Sequence, residues 1–422
     1  MNILVIGSGG REHAICSAFA RSGRVGKLYC APGNAGIAAI AECVDIKPEQ
    51  IEKQADFALK NDIGLTFVGG ESALAIGIVD EFEKRGLRIV GASKGAARLE
   101  ASKSYAKDFM KRYDIPTAAY SKTNSPAEAI KILNFGFFGG AAAQVVVKAD
   151  GLASGKGVVV AANRQEAIAA INGMETLVGS DAASSILLEE CLYGREVSLL
   201  MFADGKNFAL MPPTRDHKRI GDGDTGPNTG GMGTFTNESL LSHSQTNTII
   251  NEIIKPTLAG CSAEGYPFRG ILFLGLMMTD AGPKLLEYNV RFGDPETQSI
   301  LVRLESDLTD ICEAMIAGSL DNTAITWKKG NSATVVLAAK GYPEKPRTGD
   351  VIRGIDAAVS PDVSIFHAGT SRNAEGELVT SGGRVLGVTA VAESLENALA
   401  AAYSAAGKIS WDGMQYRRDI GK

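Results

Sequence analysis

The run Asn2-Ile3-Leu4-Val5-Ile6 is continuously apolar and is followed at once by Gly7-Ser8-Gly9-Gly10. A strand that is apolar on both faces must be buried on both, which demands a parallel sheet covered by helices. The rhythm repeats. Lys27–Ala31 reads as a strand ending in Pro32-Gly33-Asn34, and Leu65–Val68 as one ending in Gly69-Gly70-Glu71 with a helix to about Lys84. Leu87–Val90 is a further strand. In such sheets ligands gather at the carboxyl ends of the strands, where Gly9, Gly10, Arg11, Asn34 and Glu71 stand. A dinucleotide fingerprint is rejected. Its third glycine would fall at Glu12, and Ala31-Pro32 carries no ribose-binding carboxylate. A glycine loop at a helix N-terminus suits a single phosphate, helped by Arg11, or is a mere tight turn. Glu71 taken alone reads as a first-turn carboxylate favoured by the helix dipole rather than as a ligand.

The 422 residues predict two to four domains, and 45% hydrophobic content supplies a core. A net charge of −5 without a basic block argues against nucleic acid as partner. The six cysteines form no CxxC pair or zinc spacing and read as reduced thiols of a cytoplasmic protein. The chain opens directly on a strand, so no signal peptide is expected. No apolar run reaches membrane-spanning length.

Ser93–Arg112 reads as one helix, closed by Ile115-Pro116. Gln144–Lys148 is a β-branched strand, Ala149–Gly157 a glycine-rich loop holding Lys156, and Val158–Val160 a second strand. Two strands joined by such a loop form a flap that can close over phosphates. It is not a Walker loop, because the spacing is absent and no helix follows. Ser185–Leu192 is an apolar strand running into Glu189 and Glu190, which alone read as surface charges. Glu196 is placed to bind a ribose. Thr214–Arg219 and Thr225–Gly233 read as a long charged loop, and Glu238–Glu264 as helical.

Leu285–Gln298 carries the most chemistry. Strand alternation sets Glu287, Asn289 and Arg291 on one face and Leu286, Tyr288 and Val290 on the other. Carboxylate and carboxamide oxygens suit Mg²⁺, and a guanidinium captures carboxylate or phosphoryl groups. The same alternation also fits an edge strand with a solvated face.

The order of these pieces resembles the ATP-grasp superfamily and, within it, the phosphoribosylamine–glycine ligase family. The resemblance rests on Gly9–Ala14, Ala31–Gly36, Lys148–Ala153, Asp216–Arg219, Thr225–Gly233 and Arg291–Gln298. It implies an α/β and α+β multidomain chain. An N-terminal parallel α/β domain (1–102) would precede an ATP-grasp core (103–318, flap about 118–190) and a small C-terminal β-rich domain (325–422). The implied reaction joins glycine to 5-phosphoribosylamine at the expense of ATP, in purine biosynthesis. Lys103, Lys148 and Lys156 would hold ATP phosphates, Glu189 and Leu192 the adenine, and Glu196 the ribose. Glu287 and Asn289 would bind Mg²⁺ or Mn²⁺. Arg291 would steady glycyl phosphate, and Asp216 would join Arg291, Lys148 and Lys156 in the catalytic set. Gly9, Gly10 and Arg11 would take the phosphoribosylamine phosphate, with Asn34 and Glu71 near its sugar. The family pattern leads one to expect proline at Gly70. No third metal carboxylate stands in Gly275–Met278. A cytoplasmic monomer is expected. The rival readings are another ATP-grasp carboxylate–amine ligase and a non-catalytic nucleotide-binding module.

Overall fold

The structure is a computed structural model that describes residues 1–150, 157–179 and 185–422. The expected flap loop falls mostly on 151–156, so Lys156 and its role lie outside the described residues. In chain order the strands are β1 (Asn2–Gly7), β2 (Leu28–Pro32), β3 (Glu42–Cys43), β4 (Ile63–Val68) and β5 (Ile89–Val90). Next come β6 (Tyr120–Thr123), β7 (Val145–Ala149), β8 (Val158–Ala161), β9 (Ile186–Glu190), β10 (Arg195–Asp204) and β11 (Phe208–Leu210). Then follow β12 (Thr214–Asp216), β13 (Arg219–Gly221), β14 (Thr225–Asn228), β15 (Gly233–Thr236), β16 (Arg269–Thr279) and β17 (Gly282–Asn289). The last are β18 (Asn331–Ala338), β19 (Val363–His367), β20 (Thr370–Arg372), β21 (Leu378–Thr380) and β22 (Arg384–Ala392).

Among the described residues these strands form three main sheets. The first is parallel, in the order β3-β2-β1-β4-β5. Ile3, Leu4, Val5 and Ile6 are all buried, as a strand covered on both faces requires. The second is a four-stranded antiparallel sheet, β6-β9-β7-β8, covered by helices Pro126–Asn134 and Arg164–Val178. The third runs β17-β16-β10-β12-β15-β18-β22-β19, with β11 beside β10. It passes without a break from the middle of the chain into the C-terminal region through the β15–β18 pairing.

Four local expectations change. The helix expected over Ser93–Arg112 is two helices, Lys94–Ala101 and Lys103–Arg112. Ser102 between them is extended, and its hydroxyl accepts the Tyr105 N–H, so it caps a new helix. The helical stretch after Glu238 starts in earnest at His243, capped by Ser242, and passes through a π turn at Ile250–Ile254. The expected loop 214–233 is instead β12, the β13–β14 hairpin and β15. The alternation of Leu285–Arg291 is broken by a register shift opposite Gly275/Leu276. Leu285 therefore joins Tyr288 in the core, while Leu286 lines the same cavity as Glu287. Arg291 lies just past the end of β17.

Candidate active site

A cavity of about 880 Å³ opens between the four-stranded sheet and the long sheet. Its size suits a nucleotide-scale ligand. β7 and β9 supply Lys148 and Glu189, β10 supplies Glu196, β12 supplies Asp216, and β17 supplies Glu287 and Asn289. Helix Lys103–Arg112 contributes Lys103 and Lys107 from the same face, four residues apart. Of the sequence-singled residues, Arg11, Glu71, Lys103, Lys148, Glu189, Leu192, Glu196, Asp216, Glu287, Asn289 and Arg291 all line this cavity. Gly9, Gly10 and Asn34 lie outside its wall.

The cavity is strongly charged. Glu287 is opposed by burial, yet Lys218, Lys148, Lys103 and Arg291 together hold its carboxyl below the usual carboxylate range. Burial pushes the Lys103 ammonium down, with Lys148 adding to that and Glu287 countering it. Lys218 pairs with Glu196 at 2.9 Å, and that carboxylate raises its pKa. Lys148 lies 2.8 Å from Glu189 Oε1, and Lys107 lies 3.0 Å from Oε2.

β9 is paired on both sides, with Glu189 opposite Tyr120 and Val146, and its carboxylate is committed to two lysines. Cys191 and Leu192 follow the end of the strand and lie outside the ladder.

Arg291 is held from several sides. Its Nε donates to Glu71 Oε2 at 3.1 Å and its Nη2 to Asn289 Oδ1 at 3.2 Å, and Nη2 is 2.7 Å from Glu100 Oε1. Glu71 is opposed by burial, but Arg291 and Arg11 bring its pKa down to about 2. Burial and the nearby Glu296 charge push the Asp216 carboxyl up, and burial together with Asp294 pushes that of Glu296 up. Asp216 Oδ1 is shielded from solvent without a hydrogen-bond partner. Gly231 lies against it with φ +112°. A Cβ there would come within 2.8 Å of Oδ1 and 2.5 Å of Pro295 Cδ.

At the N-terminal glycine loop one N–H is taken up within the chain. Gly9 N–H donates to Glu12 Oε2 at 2.6 Å. Glu12 itself fits because Gly7 and Gly69 lack side chains, since a Cβ at either would overlap it. Arg11 donates to Glu12 Oε1 at 2.7 Å and to the Phe292 carbonyl at 2.9 Å. Asn34 is held within the chain. Its amide donates to the Ser8 and His367 carbonyls, both at 2.8 Å, and its oxygen accepts from the Gly36 and Ile37 N–H groups.

The donors for a hard divalent cation fit. The Glu287 carboxyl is held below the usual carboxylate range, Asn289 on the same stretch has a carboxamide oxygen with a second lone pair beside the one that accepts from Arg291, and Gly275 across the ladder leaves room. A Cβ at Gly275 would lie 3.2 Å from Glu287 Cγ. Two protein oxygens suffice for Mg²⁺ when phosphates and water complete its shell.

Sequence reasoning missed Glu100, Lys107, Glu296 and Arg384, all in the cavity wall. The spacing of Lys103 and Lys107 on one helix was a usable signal for Lys107. Arg384 comes from β22, far along the chain, with no local signal.

Three family models of phosphoribosylglycinamide synthetase match the chain: its N domain at residues 1–100, its ATP-grasp (A) domain at 101–297 and its C domain at 332–422. Phosphoribosylamine–glycine ligase of Pseudomonas aeruginosa is 47% identical over 427 residues, covering 100% of this chain and 97% of the relative. The enzyme of Caldanaerobacter subterraneus subsp. tengcongensis is 44% identical, with 100% and 99% covered. The crystal structure of the Thermotoga maritima phosphoribosylamine–glycine ligase superposes with a TM-score of 0.84 at 36% identity, each chain covered fully. A biotin carboxylase domain from Hydrogenobacter thermophilus shares the fold at 17% identity and a TM-score of 0.71, covering 98% of this chain and 91% of its own. With full-length relatives at this level of identity, and with lysines, carboxylates and Arg291 converging on one cavity, the chain belongs to the phosphoribosylamine–glycine ligase family of ATP-grasp enzymes.

Proposed function

We propose that this chain is an ATP-dependent carbon–nitrogen ligase. It converts ATP, glycine and 5-phosphoribosylamine to glycinamide ribonucleotide, ADP and phosphate in purine biosynthesis. The observation that carries this reading is the cavity itself, where Lys103, Lys148, Lys218 and Arg291 surround Glu287 and Asn289. Lys103 and Lys148 receive ATP phosphates, the segment ending in Leu192 takes the adenine, and Glu196 takes the ribose. Glu287 and Asn289 hold Mg²⁺ or Mn²⁺, which supplies charge neutralisation for the phosphates. Asp216, with its unpartnered Oδ1, suits the ammonium group of glycine. The glycine carboxylate attacks the γ-phosphorus and displaces ADP, and Arg291 steadies the glycyl phosphate formed. The ribosyl amine then attacks the acyl carbon and expels phosphate. Positioning and electrostatics suffice, so no side-chain nucleophile is required. Arg11 and Glu71, at the N-terminal end of the cavity, face the phosphoribosylamine. Six unpaired thiols among the described residues accord with a reducing cytoplasm, where we expect a monomer.

The test is phosphate release from ATP with glycine, with and without phosphoribosylamine. Release that needs all three substrates supports the reading. Release that another amine or amino acid elicits equally points to a different carboxylate–amine ligase. No release, with ATP bound, points to a nucleotide-binding module.

A further inference from the structure

Lys107 is a cation that the assignments above leave without a task. It is 2% exposed, on the cavity side of helix Lys103–Arg112. Its Nζ donates to Thr117 Oγ1 at 2.7 Å, and Thr117 Oγ1 in turn donates to the Leu285 carbonyl at 2.6 Å. The same Nζ lies 3.0 Å from Glu189 Oε2. Lys148 approaches the other oxygen, Oε1, at 2.8 Å. Glu189 is likewise 2% exposed. Two buried lysines thus share one buried carboxylate.

This arrangement bears on how Lys148 reaches a phosphate. As the Lys148 ammonium turns its N–H donors toward phosphates, its hold on Glu189 weakens. A buried carboxylate left without a counter-charge costs several kcal/mol, so a lone Lys148–Glu189 pair would resist opening. We propose that Lys107 is a positioning residue for ATP binding: anchored by Thr117, it keeps Glu189 neutralised so that Lys148 can transfer to the nucleotide phosphates. The proposal rests on ATP occupying this cavity. Lys107 never touches the nucleotide in this account; it acts through Glu189 and Lys148.

The charged groups acting on Lys107 are Glu189, Lys148 and Glu287. Burial pushes its pKa down to about 8, with Glu189 countering and Lys148 adding to the shift. Release of Lys148 should therefore become harder as Lys107 loses its proton.

The experiment is calorimetric binding of a non-hydrolysable ATP analogue to the whole chain. Lys107→Met should weaken binding by about tenfold or more. Lys107→Met combined with Glu189→Gln should recover to within about threefold of wild type, because nothing then holds Lys148 back. Wild-type affinity should fall as pH rises through about 8, and the double variant should lack that fall. An unchanged Lys107→Met, or a double variant as weak as the single one, overturns the proposal. Should Lys107→Met not fold, the double variant and the wild-type pH profile decide the matter alone. A wild-type protein that binds no analogue at any pH instead sinks the ATP site itself.

Discussion

Glu287 bears its charge inside a buried cavity because four cations offset the cost of burying it. Glu287→Gln keeps the shape and removes the charge, so the fold should survive while turnover at ordinary Mg²⁺ drops by about a hundredfold or more. Turnover measured against Mg²⁺ concentration, alongside the thermal midpoint, checks this. Near-normal activity would remove Glu287 from the metal site. Arg11 presents a different case. It is spent on Glu12 and on the Phe292 carbonyl, and it lines the cavity beside Glu71. Arg11→Ala should raise the KM for phosphoribosylamine and leave that for ATP unchanged. It should also cost about 1–3 kcal/mol of stability, since buried Glu12 loses a charged partner. A rise in the KM for ATP alone would show that Arg11 serves the other substrate.

Among the elements, the β13–β14 hairpin is held from outside. Arg417, 2% exposed, donates to Asp224 Oδ1 at 2.6 Å and to the Arg219 carbonyl at 3.2 Å, and pairs with Asp419. The C-terminal tail therefore clamps a hairpin that follows directly on Asp216 and Lys218. Arg417→Ala should release it at a cost of about 2 kcal/mol. Hydrogen exchange over 219–228 should quicken, and turnover should fall. Exchange that stays as slow as in the wild type would show that the strand pairing alone holds the hairpin.

Across the whole molecule, the N-terminal and C-terminal regions meet through histidines. The His367 N–H donates to His13 Nδ1 at 2.8 Å, and Asn34 reaches the His367 carbonyl. His217 Nε2 accepts the Gly421 N–H at 3.3 Å. Burial lowers the pKa of His13 to about 3, aided by His367, and those of His217 and His367 to about 4, aided by Arg417 and Arg372. An unfolded histidine titrates near 6.5. Below that pH the unfolded chain takes up protons that the folded chain refuses, so stability is full above about pH 6.5 and declines toward pH 4. Thermal midpoints measured from pH 7 to 4.5 should fall steadily, and His217→Gln should flatten part of the slope. A midpoint constant over that range would show that these imidazoles titrate normally.

What the sequence determined by itself was whatever neighbours in the chain decide. The two-sided apolar run Asn2–Ile6 required a covered parallel strand, and the motif residues from Lys103 to Arg291 carried the resemblance to ATP-grasp enzymes and named part of the charged lining of the cavity. Tertiary structure decided the rest. A strand's period says which side chains share a face but not where a bulge shifts the register, so Leu286 went to the cavity and Leu285 to the core. A carboxylate's identity does not reveal its partners. Glu189 faces two lysines brought from separate elements, and Asn34 is consumed by carbonyls of Ser8 and His367. The pairing of β15 with β18, which carries one sheet from the middle of the chain to its C-terminal region, joins residues about a hundred apart. Contacts of that span arise only when the chain closes on itself, because local preference says nothing about which distant strand will satisfy an open edge.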